Sequence, residues 1–172
     1  MKVLVTAFLP FNKANNNFSM EVLNFIDCVD KVILDVLYDE SYNKLKSEYD
    51  LASYDLIVAM GEARMRSELT LELYAKNIAS CSLPDNNQVI KKDEVIIENG
   101  PEVLKTGLDI NRLEGIVKLS EDAGKFVCNN IYYHLLSDYR NKSLFIHIPN
   151  CLDETMYQEY AHTIMEIIKK LK

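Results

Sequence analysis

Apolar residues follow two rhythms along this chain. Unbroken β-branched runs mark strands buried on both faces, and apolar positions three and four apart mark helices. "KVLVTAF" (2–8), "KVILDVLY" (31–38), "DLIVAMG" (55–61, stopped by Gly61) and "SLFIHIP" (143–149) read as strands of the first kind. "ELTLELYAKN" (68–77) alternates, with Leu69, Leu71 and Leu73 on one side and Thr70, Glu72 and Tyr74 on the other. "GIVKLS" (115–120) is a further strand.

Helical spacing appears in "MEVLNFI" (20–26), capped by Ser19, and in "DESYNKLKSEYDLA" (39–52), starting at Asp39 or Ser41. It returns after Gly124 or Lys125, with Val127, Ile131, Leu135 and Leu136 inward. In "DETMYQEYAHTIMEIIKKL" (153–171), Met156, Tyr160, Ile164, Ile168 and Leu171 recur at helical spacing. "LPFNKANNNF" (9–18) is loop chemistry. "LPDNNQVIKKDEVIIENGP" (83–101) is a long polar connection in which "QVIKKDEVII" has a hairpin pattern, and "DINRLE" (109–114) reads as a short helical turn.

Strands alternating with helices predict an α/β fold, a three-layer α/β/α sandwich around a mixed, mostly parallel sheet. At 172 residues the chain is expected to form one domain, 1–172. In such sheets the site lies outside the carboxyl ends of the strands. That points to the loop after the first strand, to Gly61 and to His147.

Composition narrows the function. A formal net charge of −7 with scattered Lys and Arg argues against a nucleic-acid partner and against an anionic membrane surface. No apolar run reaches the ~18 residues of a membrane span. "MKVLVTAFLPF" lacks the features of a signal peptide and reads as a first strand. The cysteines Cys28, Cys81, Cys128 and Cys151 form no CxxC, so neither a metal site nor a disulfide framework is expected. Reduced thiols in the cytoplasm are the expectation.

Within "EDAGKFVCNNIYYHLL" (121–136), Cys128 falls in the first turn of a helix. It is either a small apolar plug or a thiol that the helix N-terminus favours as thiolate. His147 faces away from Ile146 and Ile148, and is either a core histidine or a general base. Glu72 is either a surface carboxylate or the third group that a Cys/His pair needs to fix its tautomer. Spacing alone does not show that the three meet.

Four stretches together resemble the pyroglutamyl peptidase I (pyrrolidone-carboxylate peptidase) family of cysteine peptidases. "VTAFLPF" is similar to the family's T-G-F-x-P-F. "GEARMRSELTLELYAKNIASCSLPDN" is similar to its central motif, with Gly61, Glu72 and "LPDN" in register. "AGKFVCNNIYY" resembles A-G-x-x-x-C-N, and "FIHIP" resembles F-I-H-[IV]-P.

The resemblance implies catalytic roles for Cys128 as nucleophile, His147 as base and then acid, and Glu72 as its orienting group. It implies substrate contacts at Phe8, Phe11, Glu62, Leu83, Phe126 and Val127. It also implies a small peptide or acyl-amide substrate, no cofactor and an open oligomeric state, a homo-oligomer being one option.

The chain departs from the pattern at several positions. Ala7 and the pair Asn12-Lys13 replace glycines, and Glu62 replaces a pocket Gln. Arg64 and Met65 replace small residues, Ser82 replaces an Arg, and the connection after Pro149 is short. A cysteine amidohydrolase for another small acyl group, and a binding protein that keeps the fold, are the two alternatives.

Overall fold

The structure, a computed structural model, describes residues 1–151 and 153–172. Among the described residues, eight strands and four α-helices follow the alternation of the sequence. The chain runs β1 (Val3–Phe8), α1 (Phe18–Asn24), β2 (Asp30–Leu34), α2 (Glu40–Glu48), β3 (Leu56–Glu62), β4 (Thr70–Glu72) and β5 (Tyr74–Lys76). It continues through β6 (Val103–Lys105), β7 (Lys118–Ser120), α3 (Val127–Tyr139), β8 (Ser143–Ile148) and α4 (Glu154–Lys170).

The central sheet has the order β2-β1-β3-β8-β4-β7. The first four strands are mutually parallel, β4 runs antiparallel to β8, and β7 pairs parallel with β4. This is the mixed, mostly parallel α/β sandwich that the alternation predicts.

Side-chain alternation sorts the core into two halves. Val3, Val5 and Ala7 of β1, Leu56, Val58 and Met60 of β3, and Leu144, Ile146 and Ile148 of β8 pack with α1 and α4 residues. Leu4 and Phe8, Ile57 and Ala59, and Phe145 pack on the α3 side. His147, two residues beyond Phe145, therefore falls on the α3 face. Strand period alone sets that placement.

Several elements differ from the reading above, each for a local reason. The cap of α1 is Asn17, whose Oδ1 accepts the Ser19 N–H at 3.0 Å, so Ser19 sits inside the helix. β3 runs on through Gly61 instead of stopping there. β2 ends at Leu34, before the turn that leads to Asp39.

The hairpin expected over 88–97 does not form. Asp85 accepts the N–H groups of Asn87 and Val89, both at 2.9 Å. Asn77 accepts those of Ile96 and Ile97 at 3.1 and 2.9 Å. Side chains thus take the donors that a ladder would have used. The small second sheet instead pairs β5 with β6.

α3 is buried nearly all round, Asn129, Asn130, Tyr132 and Tyr133 included, because β5 and β6 cover its outer side. Among the described residues, no helix is long and apolar enough to cross a membrane.

Candidate active site

The parallel strands β3 and β8 end together at one edge of the sheet, where antiparallel β4 begins. Gly61 pairs with His147 across the β3–β8 ladder, and Thr70 pairs with His147 across β8–β4. Thr70 and Glu72 occupy the same face of β4, so Glu72 lies beside the imidazole. His147 Nδ1 donates to Glu72 Oε1 at 2.7 Å. Glu72 is fully buried and His147 is 5 % exposed, which rules out the surface-carboxylate reading. Phe145 packs against the imidazole, with ring centroids 4.9 Å apart.

The nucleophile candidate arrives from α3. Gly124 takes φ 78° before the helix, and its N–H is held by Asp122 Oδ1 at 3.0 Å. The helix begins at Val127, so Cys128 is its second residue. Phe126, the cap, makes no side-chain capping bond. The first amide N–H groups of α3 thus have no side-chain cap. The Cys128 thiol lies over Gly61: a Cβ at Gly61 would stand 2.6 Å from Sγ. Because Gly61 is the ladder partner of His147, thiol and imidazole occupy adjacent positions above the sheet.

Electrostatics differ from the expectation of a lowered thiol pKa. Burial foremost, then the charges of Glu72 and Glu62, push Cys128 up to about 12, against a smaller downward pull from Arg66. Burial likewise lowers His147, outweighing the upward pull of Glu72. Both shifts favour the uncharged forms, thiol and imidazole. The half-charge of a helix N-terminus does not overcome desolvation by the surrounding core.

The expected substrate contacts separate into two groups. Phe11, Glu62 and Leu83 line a cleft of about 280 Å³ together with Asn12, Ala14 and Arg64. Phe126 stands behind Phe11, with centroids 5.7 Å apart, and meets Tyr38 edge-on at 5.4 Å. Phe8 and Val127 are instead buried in the core and do not line the cleft. Glu62 is engaged already: Oε2 accepts the Phe18 N–H at 2.8 Å and Oε1 accepts from Arg64 Nε.

Asn12 and Lys13 keep φ of 51° and 61°, the left-handed region their family glycines would favour. Among the described residues, no cluster of three His, Cys, Asp or Glu is disposed to hold a metal.

Residues 1–168 match the family model described as pyroglutamyl peptidase. The chain belongs to the pyroglutamyl peptidase family. The pyrrolidone-carboxylate peptidase of Brachyspira hyodysenteriae is 33% identical over 91% of this chain and 87% of its own length. The pyrrolidone carboxyl peptidase crystal structure from Fervidobacterium islandicum superposes with a TM-score of 0.88 at 25% identity, covering 100% of both chains. Pyroglutamyl peptidase I from Bacillus amyloliquefaciens gives 0.82 at 27% identity, covering 99% of this chain and 92% of that one.

Set within that family, four positions gain roles that the sequence reading missed. Gly61 makes room for the thiol. Arg66 contacts Glu72 Oε1 at 2.7 Å. Asn129 pairs like a strand with the backbone of Lys76, accepting from N and donating to O, both at 2.8 Å. Asn130 Oδ1 accepts the Asp39 backbone N–H at 2.9 Å, and Asn130 Nδ2 donates to Asp39 Oδ1 at 2.8 Å. Two asparagines inside an apolar helical run were the available signal, since Asn favours such a position only where its side chain has backbone to bind.

Proposed function

We propose that this pyroglutamyl peptidase family member removes an N-terminal pyroglutamyl residue from peptides, with Cys128 as nucleophile, His147 as proton carrier and Glu72 as orienting acid. The observation that carries the reading is the buried Glu72–His147 hydrogen bond of 2.7 Å, beside a thiol seated over the ladder partner of that histidine.

Glu72 fixes the proton on Nδ1, which leaves Nε2 free to accept. As Sγ attacks the pyroglutamyl carbonyl carbon, its proton passes to His147 and the S–C bond forms. The carbonyl oxygen takes up the negative charge, and the uncapped amides at the start of α3 are the donors placed to receive it. His147 then protonates the leaving amine, the C–N bond breaks, and a thioester remains on Cys128. Water, deprotonated by His147, hydrolyses the thioester and restores the thiol. Burial pushes the Cys128 thiol up, so His147 is the base that takes its proton during attack.

The acyl group occupies the cleft of Phe11, Ala14, Leu83, Glu62 and Arg64. The Glu62–Arg64 pair is the feature that would favour another acyl group. Each side chain neutralises the other, so a neutral lactam meets no net charge there. Free thiol chemistry suits a reducing compartment, which supports the cytoplasm as the place of action.

The test is cleavage of a fluorogenic pyroglutamyl amide, with and without iodoacetamide, by the wild type and Cys128→Ser. Iodoacetamide-sensitive cleavage lost in Cys128→Ser is expected. Cleavage that survives both treatments overturns the reading.

A further inference from the structure

We infer that Arg66 is a positioning residue, one guanidinium that clamps the Glu72 strand to the loop entering the nucleophile helix and so sets the working state of His147. This rests on the catalytic reading above.

The local chain brings Arg66 to this place. After β3, Ala63 N–H donates to Ile148 O at 2.8 Å, and Arg66 N–H donates back to Ala63 O at 2.9 Å. That tight turn reverses the chain over the sheet edge and aims the Arg66 side chain at β4. Nη1 reaches Glu72 Oε1 at 2.7 Å and also donates to Thr70 Oγ1. Nη2 donates to the Asp122 carbonyl at 2.8 Å, two residues before the Gly124 turn.

A planar fork fits this three-way task, and a point charge on a flexible stem does not. Arg66 and His147 Nδ1 meet on one oxygen, Glu72 Oε1, while the buried Oε2 has no hydrogen-bond partner among the described residues. Every constraint on the orienting carboxylate therefore acts through a single atom. Removing Arg66 leaves Glu72 attached only through the imidazole it has to orient.

The charged and titratable groups around His147 come from four directions. They are Glu72 on β4, Arg66 on the turn after β3, Asp122 on the loop before α3, and Cys128 on α3. Glu72 and Asp122 favour the imidazolium, and Arg66 disfavours it. Burial foremost keeps His147 in the neutral form that accepts the thiol proton, and Arg66 adds to it by opposing the two carboxylates. Loss of its positive charge lets His147 keep its proton to higher pH.

The experiment is the pH profile of kcat/KM for Arg66→Met and Arg66→Lys on a fluorogenic pyroglutamyl amide, with Tm measured on each. Arg66→Met should move the acid limb upward by about one pH unit. It should lower kcat more than it changes KM. Arg66→Lys should return the limb toward the wild-type position, because it restores charge, while kcat stays low, because it lacks the fork.

An unmoved limb in a folded Arg66→Met overturns the inference and makes Arg66 a structural clasp. If Arg66→Met does not fold, Arg66→Lys with wild-type kcat and KM overturns the fork argument by itself. Absence of iodoacetamide-sensitive activity in the wild type would instead overturn the catalytic reading on which the inference rests.

Discussion

Gly61→Ala adds one methyl group where β3 passes under the thiol of Cys128, the proposed nucleophile. The new Cβ would stand 2.6 Å from Cys128 Sγ and 2.9 Å from Phe145 Cζ. Ordinary carbon contacts lie near 3.5–4.0 Å, so each neighbour has to yield by roughly an ångström or the strand has to bulge. Phe145 is fully buried and cannot leave. The thiol can rotate, but only away from the site it serves.

Overpacking of this kind costs about 1–3 kcal/mol. A nucleophile displaced by about 1 Å loses on the order of 10²-fold in rate. At about 2–4 °C per kcal/mol for a chain of this size, Tm should fall by roughly 3–10 °C. Because the displaced atom is the reacting one, kcat/KM should fall by about a hundredfold, and Cys128 alkylation should slow even in protein that is fully folded at the assay temperature. A Gly61→Ala enzyme with wild-type kcat/KM and Tm would refute both the close approach and the placement of Cys128 over Gly61.

Further expectations follow from the same contacts. His147→Ala should cost about 10²–10⁴-fold in kcat, and Glu72→Gln less, because the amide keeps an acceptor for Nδ1; equal losses would contradict the division of roles. Lys13→Gly should raise Tm slightly, by up to about 1 kcal/mol of stability, since Lys13 holds a left-handed φ of 61°, and a lowered Tm would contradict it. Asp39 is held well below the usual carboxylate range by the His134 hydrogen bond, with Asn130 and Lys91 adding to it. Its stabilisation is therefore present above the ordinary Asp pKa of about 4 and lost as pH falls below it, and Asp39→Asn should flatten the acid side of the Tm-against-pH curve. In a double-mutant cycle, Glu62→Gln should raise KM by stranding Arg64, and Arg64→Gly on that background should bring it back; additive effects would mean that the pair does not act as a unit.

The sheet was legible because strand period and burial agree: runs such as Val3–Phe8 and Leu56–Met60 have no polar face to misplace. The candidate triad was legible only through motif resemblance. Whether Glu72 lay on the surface or at the site depended on β4 joining β8 antiparallel, a pairing that no local pattern encodes. The failed hairpin over 88–97 has the same origin. Its two apolar arms around a polar centre were real, yet Asp85 and Asn77 were better partners for those amides than a facing strand.

The direction of the thiol shift was misread for a different reason. Helix position can be read from sequence, but the desolvation that outweighs it belongs to the packed core around Cys128. Gly61 was seen as punctuation, since a glycine that makes space and a glycine that ends a strand look alike in one dimension.

The departures from the family pattern fall into two kinds, and the structure treats them differently. Asn12 and Lys13 replace glycines while keeping the backbone that glycine would adopt, so the wall of the cleft stays where it was at a modest cost in strain. Glu62 and Arg64 change the chemistry of that wall, and they change it together. A lone carboxylate at position 62 would meet the lactam oxygen with like polarity, and a lone guanidinium at 64 would bring an unpaired charge to a cleft meant for a neutral ring. Bound to each other, with Glu62 Oε2 also on the Phe18 amide, the two side chains cancel in charge and both Glu62 oxygens are engaged. What remains facing the substrate is the apolar surface of Phe11, Ala14 and Leu83 and the amide of Asn12. As the proposed acyl site, the altered cleft keeps a polarity suited to a small uncharged group, by cancellation where the family pattern relies on a neutral amide.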